Sequence, residues 1–226
     1  MIATLRRGGV IGIIGVVLMV GATILSVYVD ETSTPHINPY GVIIVPGYTV
    51  GLHDLPTETA DRFDKFLPFW GLIAAPLCFL FTLDALSEWL RQDEHPLARW
   101  LHSIGLLSMG CWLLAGIIRI TIVPQTGLTP LLFWLQLSSG LYEGAYLLMA
   151  FHALALAFVF KDYKLWLPAG LNMMAGTILL LVLMLSPYEK INLFNMLGYG
   201  LPIIRMFWLS ILLLLQAERF ARLITL

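Results

Sequence analysis

The chain has 226 residues, of which 59% are hydrophobic and 12% charged, and its mean hydropathy is +0.85. So much apolar side chain cannot be covered by the chain's own polar surface, which excludes an ordinary water-soluble domain and makes lipid the solvent. A formal net charge of −1 lacks the basic stripe that a nucleic-acid partner requires.

Six apolar runs approach the ~20 residues needed to cross a hydrocarbon core. They lie at about 8–29, 67–90, 97–122, 132–160, 164–186 and 198–218. The expected fold is an all-α integral membrane protein: one membrane domain over 1–226, built as a six-helix transmembrane bundle. The first run follows Arg6 and Arg7, as a signal sequence does, but it is too long for a usual signal core and is expected to be a retained anchor. Within it, Gly8 and Gly12 have small-xxx-small spacing, and Gly9 and Gly15 extend a smooth patch suited to a neighbouring helix.

Residues 30–66 form the one sizeable segment between runs. Two β-prone stretches flank Pro46-Gly47; proline presets the first central φ of a tight turn and glycine tolerates the positive φ of the second. A β-hairpin is expected there, followed by a short helix with Thr57 as its N-cap. An isolated hairpin is marginal in water, so this segment is expected to form a folded outer cap and a docking surface for other membrane subunits.

The remaining runs carry polar groups that hydrocarbon penalises. The second holds Asp84 and Glu88 on one face, within reach of Arg91. The third holds His102 and Arg119, the fourth Glu143 and His152, the fifth Asn172, and the sixth Arg205 just after Pro202. An ionised side chain at a span centre costs about 2.5–3.5 kcal/mol on insertion scales, so such groups face protein or water and find partners.

Depth along each run suggests two groupings. Arg119, Glu143 and Arg205 fall in the outer half, and the expectation is that Glu143 lies between the two arginines, with Tyr142 or Tyr146 as hydrogen-bond partners. Two guanidiniums against one carboxylate would leave a cationic pocket for a lipid-like or anionic ligand, or a buried ion pair. Asp84, His102, His152 and Asn172 fall in the inner half. Axial ligation of a haem by His102 and His152 is one alternative there, although cytochrome b561-type proteins carry two such pairs. Otherwise no cofactor and no metal is expected. Glu143 and His152 are nine residues apart, about half a turn round the helix, and so face opposite ways.

No HExxH, GxSxG, P-loop or GxGxxG signature is present, and Cys78 and Cys111 lack metal-site or disulfide spacing. No catalytic residue is assigned. Arg6, Arg7, Arg91, Arg99, Lys161, Lys164, Arg219 and Arg222 gather at one side of the alternating runs, which predicts cytoplasmic termini. The function expected is that of a non-catalytic subunit or binding protein in contact with membrane lipids, in a bacterial cytoplasmic membrane. A haem-binding electron-transfer subunit and a small transporter are the alternatives.

Overall fold

The computed structural model describes residues 1–32, 43–45, 48–50, 70–118, 128–185 and 192–223. Six α-helices occupy them: α1 (Ile2–Thr32), α2 (Ala75–Gln92), α3 (Ala98–Ile117), α4 (Leu128–Asp162), α5 (Trp166–Leu185) and α6 (Asn192–Leu223). A π-helical turn, Trp70–Ala74, runs into α2, where Pro76 sits at the start and interrupts no helical hydrogen bond.

Five of the helices contain stretches long and apolar enough to cross a membrane: Ile2–Gly21, Ala98–Ile117, Gln136–Asp162, Trp166–Met184 and Gly200–Phe220. The protein is a multi-pass helical membrane bundle. Helix α2 differs from the other five because Asp84, Glu88 and Arg91 crowd its second half. Those charges engage one another, with Arg91 2.8 Å from Glu88 and 3.7 Å from Asp84.

Helices consecutive in sequence pack side by side from α1 to α6, and α6 returns against α1, so the bundle closes as a ring. The closure depends on glycine. A Cβ at Gly8 would sit 2.5 Å from the Ala85 side chain, and one at Gly9 would sit 2.6 Å from the Ser210 carbonyl oxygen. One at Gly12 would collide with Ser210 and Thr82 together. Bare backbone on α1 therefore lets α2 and α6 approach from two sides, the role that small residues play where lipid supplies no hydrophobic drive. Thr82 adds a hydrogen bond from its hydroxyl to the Gly8 carbonyl at 2.9 Å.

Between α1 and α2, strands β1 (Ile43–Val45) and β2 (Tyr48–Val50) pair antiparallel, with Val45 opposite Tyr48 and Ile43 opposite Val50. Pro46-Gly47, expected to form the turn between them, lies outside the described residues. The helix expected after the hairpin, with Thr57 as its cap, lies outside the described residues.

At the end of the bundle bearing Arg6, two helices stop in the same way. The His95 amide donates to Leu90 and that of Glu94 to Arg91; likewise Leu165 donates to Phe160 and Lys164 to Lys161. Each is a Schellman stop, which needs a left-handed residue after the cap. Glycine usually fills that position, but here Glu94 and Lys164 do, at φ of 53° and 57°. The two turns hold each other: Tyr163 donates its hydroxyl to the Asp93 carboxylate. Trp89 is buried beneath them, its ring 4.8 Å from Tyr163 and 4.7 Å from Phe220, and its indole N–H donates to the Phe220 carbonyl at 2.9 Å. Trp89 is thus a core residue, whereas Trp100 and Trp166 are exposed.

Candidate functional site

The most unusual group in the bundle is Arg205. It is 1% exposed, although it carries a charge that a membrane interior disfavours. Helix α6 turns it inward along with Met206 and Leu209, towards α4 and α5.

Two neutral side chains receive it. Its Nη2 lies 2.6 Å from Nδ1 of His152 on α4, and its Nε donates to Oδ1 of Asn172 on α5 at 3.1 Å. A guanidinium only donates, so His152 Nδ1 accepts and the ring proton belongs on Nε2. Asn172 is oriented from behind, because its Nδ2 donates to the Pro168 carbonyl at 3.0 Å. That bond assigns the amide oxygen to the arginine. His152 is 2% exposed and Asn172 fully buried.

The third nitrogen is different. Nη1 of Arg205 is buried with no hydrogen-bond partner among the described residues. No carboxylate among them pairs with this arginine either; the ion pairs present involve Arg6, Arg91, His95 and His102. The site is a buried cation gripped by two neutral acceptors, with one donor edge left over.

Several expected neighbours lie elsewhere. Glu143 is exposed on the outside of α4 and does not meet Arg205, whose bonds run to His152 and Asn172 instead. Glu143 lies within the apolar stretch Gln136–Asp162 but on its exposed side, whereas His152 on the same helix is turned inward to Arg205. Arg119 lies outside the described residues. Tyr142 and Tyr146 are buried, with their rings edge-on to Trp112 at 6.4 and 5.6 Å.

The inner-half grouping divides in two. His152 and Asn172 join Arg205, whereas Asp84 lies 3.7 Å from His102 Nδ1 and the same distance from Arg91. The histidines proposed for a haem are thus each engaged by another group, and the Nε2 edge of His152 faces Gly105, where an added Cβ would be 3.6 Å away. Among the described residues no group of three or more His, Cys, Asp or Glu is placed to hold a metal ion. Glu143 and His152 do face opposite ways, one exposed and one buried.

Asn172 is the residue that sequence reasoning left without a partner. Its signal was present: an amide in an otherwise apolar span needs hydrogen bonds, and the nearest unpaired cation was a candidate. What misled was the depth of Arg205, judged from its backbone alone, since a long side chain delivers its charge far from its own Cα. Compared with family models, with curated proteins and with solved structures, the chain matches none.

Proposed function

We propose that the chain is a non-catalytic binding protein or membrane-complex subunit whose interior site takes an anionic or lipid-like ligand on Arg205. The supporting observation is the leftover Nη1 donor edge on a buried guanidinium that lacks a carboxylate partner among the described residues. Burying a cation among neutral acceptors is costly, and a carboxylate or phosphate oxygen in that position would satisfy both the charge and the donor. Relative to the sequence-based pocket, Arg205 is retained, His152 and Asn172 become its positioning groups, and Glu143 drops out.

The basic residues near Arg6, the α2–α3 turn and the α4–α5 turn favour cytoplasmic termini, and with them a cytoplasmic-membrane location. On this reading the hairpin at 43–50 stands on the opposite face, where its strand edges suit a partner subunit.

The test is ligand retention. Protein purified in mild detergent is extracted and surveyed by mass spectrometry, then titrated with decanoate while thermal stability is followed. The reading expects a copurifying anion, or stabilisation by decanoate, that Arg205→Gln abolishes and Asn172→Ala weakens. Wild-type protein that retains no anion and does not respond to decanoate would refute it.

A further inference from the structure

A second site of different character lies between α5 and α6, at the end of the bundle that carries the α4–α5 turn. There the two helices part around a groove of about 310 Å³. Helix α6 is itself interrupted at this level, since Gln216 leaves helical geometry at φ −110° and ψ 15°. The interruption lies at the level of the groove, whose lining includes Gln216 itself.

The groove is polarised along its length. Its mouth carries Lys164 and Arg219, and its walls are formed by Leu171, Trp208, Ile211 and Leu215. No acidic residue among the described residues lines it. Of the carboxylates close to Lys164 and Arg219 in sequence, Glu218 pairs with Arg6 at 2.8 Å and Asp162 faces His95 at 3.8 Å. From Arg219 to Trp208 the wall extends about 16 Å along the helix.

We infer that this groove binds one anionic phospholipid, its phosphate between Lys164 and Arg219 and one acyl chain lying along Leu171, Trp208 and Ile211. Charge selects the lipid class. A zwitterionic headgroup brings its own cation to the same mouth, whereas an anionic one brings only the phosphate that the two basic residues complement. The apolar wall runs from the headgroup level towards the bundle centre, the direction an acyl chain takes. The groove is open at its side, so part of the lipid stays in the surrounding bilayer.

This inference is independent of the Arg205 reading, and the experiment separates them. Full-length protein in detergent is titrated with dioleoyl phosphatidylglycerol or dioleoyl phosphatidylcholine, and bound lipid is counted by native mass spectrometry. One phosphatidylglycerol should be preferred, and Lys164→Gln with Arg219→Gln should reduce the preference by about tenfold. Leu171→Trp, which keeps both charges but fills the groove, should reduce it as well, and both groove variants leave Arg205, His152 and Asn172 in place. The inference is overturned if both lipids bind wild type alike, or if either groove variant keeps the preference. Competition by millimolar inorganic phosphate, with Leu171→Trp silent, would overturn it too by marking a free-phosphate site.

Discussion

The Arg205 guanidinium donates from Nη2 to Nδ1 of His152 across 2.6 Å inside the bundle. An imidazole used in this way is an acceptor, held neutral in one tautomer by the donor in front of it. The pair links α4 to α6, and Asn172 links the same guanidinium to α5. Three helices are therefore joined by one charged side chain.

Truncating either acceptor should cost more than an ordinary core change, because it strands a buried donor. His152→Ala and Asn172→Ala are each expected to destabilise by roughly 1–3 kcal/mol. Their double variant should cost less than the sum, since both act on one guanidinium. His152→Gln, which can restore an acceptor, should recover part of the loss. Thermal unfolding in a fixed detergent measures all four.

The glycine face of α1 makes a sharper demand. Gly9→Leu would drive a side chain into the α6 backbone at Ser210 and is expected to cost at least the ~1–3 kcal/mol typical of overpacking. Gly21→Ala is the control, because nothing lies within 4 Å of its added Cβ. Fluorescence-detected size-exclusion chromatography should show a monodisperse peak for the control and a shifted or depleted one for Gly9→Leu.

Glu94 occupies a left-handed position that ordinarily belongs to glycine. Glu94→Gly should stabilise the α2–α3 turn by roughly 0.5–1 kcal/mol, the relief of a strained φ less the added flexibility of the unfolded chain. A thermal midpoint below that of the parent would show that the Glu94 side chain contributes something its backbone position does not reveal.

The bond between the two turns predicts an alkaline response. Burial, and then the hydrogen bond and negative charge of Asp93 with a further contribution from Asp162, push the Tyr163 phenol above its ordinary range. A group whose folded value is raised favours the folded state while protonated. Its contribution is thus complete below about pH 10, the ordinary tyrosine value, and declines as pH rises towards the higher folded value. The advantage of wild type over Tyr163→Phe should hold at about pH 8 and shrink above about pH 10. A pH-independent difference between the two melting curves would contradict this.

Much was legible before any coordinates. Hydropathy located the last four candidate spans to within about five residues and misplaced the first, while the run at 67–90 is not among the five long apolar stretches of the described residues. The spacing of Gly8, Gly9 and Gly12 identified the face that closes the bundle, and half-turn geometry separated Glu143 from His152. The errors share a form. Glu143, expected between two arginines, is exposed on α4, and Arg205, expected beside it, is held by His152 and Asn172.

Sequence alone determined that this protein is a helical membrane bundle and where its glycine contacts fall, because transfer into lipid sums over local residues and helical spacing is periodic. Which polar groups meet was decided only by the tertiary structure. A guanidinium on α6 selects among groups on other helices by reach and azimuth, and neither is written in the linear spacing. Arg205 therefore finds His152 and Asn172, and Glu143 finds the exterior.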